Sequence, residues 1–395
     1  MIYMKFITKQ LLGFWLNIPY LFANLIPRRR DLWLFGSWSG QKYLDNPKFI
    51  FLYALSQPNV RAIWVTKNKE LYEELRSDGL PVVYSASLKG IWLQLRCGVV
   101  VFTHAVQEEF IPFLIASRVF RVQTWHGVPI KKIWYDDDKT KLTRNRQKLI
   151  RYILPYRTDH LDLVLATNQE DSRIFRSAFN VKDDRVVITG YPRNDVFFKE
   201  RSSVTVQAGD YSRDICRRVI YMPTFRGEPG SEFPLLAKSG FDYAMFDKKL
   251  ERAGLQLEIK LHPVQALSEE DGIQIRSCSN IKIAEEHGDI YVLLAQYDAL
   301  ITDYSGIYFD FMLTGKPIFM APFDMESYLL NDRSMYYDYP EICPYAPCLN
   351  WDEVVTHLTE NVYDYTKYNE LVQRFHCYKD GKSSKRAFNQ IIDHI

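Results

Sequence analysis

The chain has 395 residues, room for two domains of ordinary size, and 47% of them are apolar, which excludes a disordered protein. Its 50 Lys and Arg nearly balance its 48 Asp and Glu, and a net charge of +2 gives no argument for a nucleic-acid partner. Six cysteines, at 97, 216, 278, 343, 348 and 377, include no C-x-x-C pair, so neither a zinc site nor a disulfide framework is expected, and a reducing cytosolic setting fits best.

Residues 11–27 (LLGFWLNIPYLFANLIP) carry no charge; Lys5 and Lys9 precede them, and Arg28, Arg29 and Arg30 follow. These 17 residues are at the short limit for a spanning helix, and Pro19 interrupts them. No small-residue cleavage site is obvious, which disfavours a signal peptide. An aromatic-rich apolar helix with a basic collar suits a monotopic anchor on an anionic inner leaflet. Residues 1–30 are therefore expected to associate peripherally with the cytoplasmic face of the cell membrane; a buried core helix is the competing reading.

Short apolar runs then alternate with longer amphipathic ones. Strands are predicted at Leu32–Phe35, Ala62–Thr66, Val82–Tyr84, Val99–Phe102, Phe120–Gln123, Leu163–Ala166 and Val186–Thr189, and helices over 47–57, 68–78, 88–96, 141–157 and 169–179. A polar segment, Lys199–Arg218, holds eight charged residues and reads as a linker. Beyond it, strands are predicted at Val219–Met222, Leu257–Lys260, Ile281–Ile283, Ala299–Ile301 and Pro317–Met320, and helices near 239–253, 289–296, 307–314, 351–361 and 383–394. Alternation of this kind means parallel sheets covered on both faces. The expected fold class is α/β, with two Rossmann-like domains facing a central cleft. The expected boundaries are 1–30 for the membrane segment, 31–200 for the first domain, 201–218 for the linker and 219–395 for the second domain.

Polar turns follow many of these strands, where parallel sheets bind ligands. The first is QTWHGVPIKK, 123–132. It places His126 at a carboxyl edge, Gly127 where backbone can approach a ligand, and Pro129 in the first turn of an expected helix. An imidazole is well matched to proton transfer near neutral pH, although a structural His is the blander reading. TGYPRND, 189–195, offers Arg193 as a fork for phosphate, with Asn194 and Asp195 as alternative helix caps. MPTFRG (222–227) and KLHP (260–263) close two strands of the second half. ITDYSGIYFDF (301–311) sets Ser305, Gly306 and Asp310 in a strand–turn–helix unit that resembles a phosphate cradle. DGKSSKR (380–386) lacks the first glycine and the strand of a P-loop; Ser383 as an N-cap, with basic residues near a phosphate, is the preferred reading. Asp136, Asp137 and Asp138 read as a solvated charge run, and no metal site is expected.

WHGVPIKK, GYPRND, PTFRG, KLHP, ITDYSGIYFDF with GKPIF, and DGKSSKRA occur in that order. Together they resemble the CDP-glycerol glycerophosphotransferases, the teichoic-acid polymerases and primases of bacteria, from about Leu32 to the C-terminus. The resemblance implies a GT-B-like fold, with an acceptor domain followed by a nucleotide-donor domain, and a monotopic membrane association. It implies that His126 is the general base on the acceptor hydroxyl and that His262 contacts the diphosphate and eases departure of CMP. It implies donor contacts from His126, Gly127, Val128, Pro129, Ile130, Arg193, Pro223, Thr224, Lys260, Leu261, His262, Ser305, Gly306 and Asp310, with no cofactor. Two positions depart from the pattern the resemblance implies: Gly306 stands where a second Ser is usual, and Phe225 where a Trp or Tyr-like residue is usual.

The implied activity is transfer of an alditol phosphate, glycerol or ribitol phosphate, from a CDP-alditol to a hydroxyl of a cell-surface polymer or lipid-linked precursor, releasing CMP. It belongs to teichoic acid or capsular polysaccharide biosynthesis. Two alternatives stand beside it: a GT-B glycosyltransferase using a nucleotide sugar, and an inactive membrane-bound scaffold. The residues leave open the alditol, the acceptor, single addition against polymerisation, and the oligomeric state.

Overall fold

A computed structural model of the chain describes residues 13–137, 149, 151–158, 160–199, 217–227, 230–233, 236, 240–262, 265–284, 288–331, 334–360 and 365–395. Most of the helix expected over 141–157 and most of the linker expected over 201–218 lie outside the described residues, as do residues 1–12.

The chain forms two compact units, each built on a parallel sheet. The first holds β1 (Arg29–Phe35), β2 (Arg61–Thr66), β3 (Val82–Tyr84), β4 (Cys97–Phe102), β5 (Phe120–Gln123), β6 (Leu163–Ala166) and β7 (Val186–Ile188), in the order β3-β2-β1-β4-β5-β6-β7. These strands are near-continuous apolar runs because helices cover both faces; all four residues of β6 are buried. The core stacks Trp33, Phe35, Phe51 and Trp64 edge to face or tilted, at centroid distances of 5.5–6.5 Å for the pairs they form. The chain winds outward from β1 to β3 and returns to start β4 beside β1. The sheet's switch point therefore lies between β1 and β4, where the loops at the carboxyl ends diverge and leave room for a ligand.

The second sheet has the order β10-β9-β8-β11-β12, formed by β8 (Arg217–Met222), β9 (Leu255–Ile259), β10 (Ile281–Ile283), β11 (Ala299–Thr302) and β12 (Ile318–Met320). Its switch point lies between β8 and β11. Tyr221, Phe241, Phe246 and Trp351 fill the core on one face, with Trp351 set edge-on to the other three at 4.7–5.6 Å.

Three expectations need correction. Arg217 and Arg218 open β8 and are not linker. The second unit comprises 127–132 and 196–379, so the last helix, Ser383–His394, belongs to the first unit rather than to a domain running to 395. Its apolar face, Ala387, Phe388 and Ile391, joins the first core, with Phe388 5.1 Å from Trp33. An amphipathic pattern announces a buried face, not which sheet it covers. Finally, no helix starts at Pro129: residues 130–132 run alongside 334–336, with Lys132 N donating to Ser334 O and Tyr336 N to Ile130 O.

The N-terminal helix is short, Asn17–Leu25, with Pro19 in the first turn, where the missing N–H is tolerated. Tyr20 packs on Leu154 and Tyr156, while Trp15 (68% exposed), Ile18, Leu21, Phe22 and Leu25 (78%) are exposed. No described helix is long and apolar enough to cross a membrane.

Candidate active site

Three loops meet at the switch point of the first sheet. After β1 comes Trp38, after β4 comes Thr103-His104, and after β5 comes Trp125-His126. The His126 ring is half-buried and lies between aromatic neighbours. His104 stacks on it at 4.6 Å with a 20° interplanar angle, Trp125 lies at 4.1 Å and Trp38 at 6.2 Å.

The backbone here is unusual. Trp38, Ser39, Asp45 and Trp125 all have positive φ (48°, 58°, 69° and 54°), a region that non-glycine residues rarely occupy. Each costs about 1–3 kcal/mol and persists only where the surroundings over-determine it. Surrounding hydrogen bonds do that here. Asp45 accepts from Trp38 Nε1 (3.2 Å), and Asn46 Nδ2 donates to the Thr124 and Trp125 carbonyls (3.3 and 3.1 Å).

His104 has a polar support of its own. Its Nδ1 lies 2.9 Å from the Thr103 hydroxyl oxygen and 3.4 Å from Glu109 Oε1. Glu109 is fully buried; it also accepts from Thr103 Oγ1 and from the N–H groups of His104 and Ala105. Burial opposes the charge on His104, but Glu109, aided by Glu108 and Asp45, more than offsets this and raises its pKa. Strand-end position alone could have singled out His104, since it follows β4 as His126 follows β5.

Arg193 sits differently from expectation. It is 1% exposed, and its Nη1 meets Asp45 Oδ1 at 2.8 Å, so its charge is met inside the protein. Asp195 is the cap suspected in the sequence, for a distant helix: its carboxylate accepts the Ser383 and Ser384 N–H groups at 2.8 Å each. Arg386 grips Asp380 with both Nη atoms and donates to Thr189 O. The segment 380–386 thus docks a helix, which replaces its reading as a phosphate neighbour.

The WHG motif divides between the units. His126 ends a stretch of the first, and 127–132 pack within the second. Gly127 sits at φ 149°, open to glycine but strained for other residues. In the second unit Val128 O lies 3.0 Å from where a Cβ on Gly306 would stand, so a side chain there must push the loop away.

Around this loop the second unit's polar edge is built on charge. Asp303, fully buried after β11, accepts from Thr224 N (2.8 Å), Tyr304 N (2.6 Å) and Arg226 Nη2 (2.7 Å). Arg226 also meets Asp324 through Nε at 2.8 Å. Its guanidinium lies over Tyr304 and Tyr328, which stack at 4.0 Å. Burial works against the Arg226 charge, but Asp324 and Asp303 outweigh it and raise the pKa. The Thr224 hydroxyl also donates to Asp303. Lys131 donates to Tyr328 Oη, its ammonium 4.9 Å from that ring.

His262 follows β9, exposed, with its ring 5.7 Å from Phe225. Its carbonyl accepts from Gln265 N, and the Gln265 side chain clasps Arg226 N and Ser231, so the turn is held. Lys260 is half-buried beside it, its N–H on the Tyr221 carbonyl, and Leu261 packs against the core. Pro223 is buried, and Ser305 and Gly306 are half-buried. Asp310 is fully buried in the helix Ile307–Phe311 and does not reach solvent. That helix has only five residues, too few for the strong N-terminal dipole that the cradle reading needs. Among the described residues no group of three His, Cys, Asp or Glu is placed to hold a metal ion.

A family model described as CDP-Glycerol:Poly(glycerophosphate) glycerophosphotransferase matches residues 19–393. The chain belongs to this family. It is an enzyme of the CDP-glycerol glycerophosphotransferase kind. It is 27% identical over 399 residues to the teichoic acid poly(glycerol phosphate) polymerase of Bacillus spizizenii, spanning 95% of each chain. It is 26% identical to the teichoic acid glycerol-phosphate transferase of Staphylococcus aureus, spanning 92% of this chain and 93% of that one. Among solved structures it resembles the wall teichoic acid polymerase TagF, with a TM-score of 0.73 at 23% identity, over 98% of this chain and 97% of the other. The two parallel sheets and this likeness give a GT-B-like fold.

Proposed function

We propose that this enzyme transfers glycerol phosphate from CDP-glycerol to a hydroxyl of a teichoic acid chain or its lipid-linked precursor, releasing CMP. The observation that carries the reading is His126, a half-buried imidazole in the turn at the carboxyl end of β5, inside the stretch that the family model matches. Glycerol phosphate is favoured over ribitol phosphate because the two relatives above are both glycerol-phosphate enzymes.

In the reaction, His126 takes the proton of the acceptor hydroxyl as its oxygen attacks the phosphorus bearing glycerol. A new P–O bond forms, the bridging P–O bond of the diphosphate breaks, and CMP leaves in line. Catalysis of such a transfer rests on positioning and charge stabilisation. Lys260 and His262, on one turn after β9, are the second unit's contribution to the diphosphate. Arg193 and Asp310, both buried, act behind the surface, and the half-buried Thr224 is engaged with Asp303.

We also propose that the exposed apolar face of the helix Asn17–Leu25 lies on the cytoplasmic leaflet, with Arg28 to Arg30 facing anionic headgroups. Deleting residues 1–27 is expected to abolish flotation with anionic vesicles; undiminished flotation rejects the anchor. The activity is tested by offering the purified chain CDP-glycerol, CDP-ribitol and UDP-sugars with a glycerol-phosphate-primed lipid acceptor. CMP released from CDP-glycerol is the expected result. CDP or UDP released from a nucleotide sugar instead points to a glycosyltransferase, and no turnover with any donor to a scaffold.

A further inference from the structure

His104 is not among the residues that the family motif points to, yet its ring stacks on His126 and its Nδ1 faces a fully buried carboxylate. We infer that His104, held by Glu109, is a positioning residue that fixes the plane of His126 and keeps it in the proton-accepting form. This rests on His126 acting as the base.

With two imidazoles stacked at 4.6 Å, a proton on one opposes a proton on the other. The surroundings decide which ring takes the single proton. Glu109, Glu108 and Asp45 all favour charge on His104, whose pKa is raised despite its burial. The Lys67 ammonium, whose Nζ donates to the Glu108 main-chain carbonyl, faces Glu109 and Glu108 from the loop after β2. Arg193 is engaged with Asp45, Lys42 lies over the far ring, Trp38, and His160 lines the same small recess as His104. Charge is therefore favoured on His104, against a carboxylate, beside the ring that is to receive the proton of the acceptor. Trp38, 5.3 Å from His104 and edge-on, closes the other side of the pair.

The test is the pH profile of CMP release from CDP-glycerol by the full chain with the primed lipid acceptor. In His104→Phe the ring stack survives without its charge. The acid limb of kcat/KM is expected to move up by about one pH unit, a roughly tenfold loss on the acid side, with the CDP-glycerol KM unchanged. Glu109→Gln is expected to move the limb in the same direction by less. It also serves, with His104→Asn, if the Phe variant does not fold. An acid limb that stays in place in folded variants of both residues overturns the inference. His126→Asn separates the two readings. If it is inactive while the His104 profiles do not move, only this inference fails; if it stays active, the base assignment itself fails.

Discussion

The two polar edges solve different problems with the same topology. Each lies at a switch point of a parallel sheet, yet the first is made of stacked rings on strained backbone and the second of interlocked charges. The contrast extends to a second histidine in each unit. His104 is kept ready for charge by Glu109. His376 is fully enclosed, its Nε2–H on the Phe309 carbonyl at 2.7 Å, and burial pushes its pKa down to about 4 despite that hydrogen bond. On the function proposed above, the first edge moves a proton and carries a pair of stacked histidines in its loops, whereas the second ties its charges into a network beside the exposed turn that carries His262.

That contrast can be broken at several points. The largest effect is expected at His126. His126→Ala should lower kcat by about 10²–10⁴-fold while donor binding, read by calorimetry, stays within about twofold. His262→Ala, on the charge-built edge, should instead weaken donor binding and rate together. Equal behaviour of the two variants erases the distinction between the edges.

Next comes Asp303→Ala, which removes the fully buried one of Arg226's two carboxylate partners, leaving Asp324, and strips Thr224 N and Tyr304 N of their acceptor. A loss of about 3–5 kcal/mol is expected, seen as faster hydrogen exchange in β8 and β11; unchanged protection there denies that the network holds the second edge.

The third effect is acid sensitivity through His376. Its folded pKa is depressed, so its stabilising contribution is full above the unfolded value near 6.5 and is lost as pH falls toward 4. With these values about 2 kcal/mol is lost between pH 7 and pH 5. His376→Asn should remove that part of the pH dependence in urea melts, and an unchanged slope counts against a neutral buried ring.

The smallest effect is expected for Gly306→Ser. It sets a Cβ 3.0 Å from the Val128 carbonyl. A loss of about 1 kcal/mol in thermal melting is expected; a more stable variant shows that the loop gives way freely.

Among the described residues all twelve strands coincide with predicted ones to within a few residues at each end, because a doubly covered strand is a short apolar run whatever surrounds it. The helices Glu269–Ser277 and Tyr365–Phe375 are absent from the sequence reading. The first carries Gly272 and buries only Asp271 and Ile275, so its pattern is weak. His126 and His262 are legible because glycine, proline and apolar neighbours mark them as strand-end turns. The pairing of Arg193 is not legible for the opposite reason: nothing local reveals that Asp45, 148 residues earlier, meets its guanidinium.

The sequence alone determined the α/β class, the two sheets, the family and the two candidate histidines, since each rests on contacts or motifs a few residues long. Tertiary structure alone decided that helix Ser383–His394 covers the first sheet, that the WHG motif divides between units after His126, and that His104 stands behind it. Those outcomes depend on which surfaces meet, and burial and charge pairing act between residues far apart in the chain.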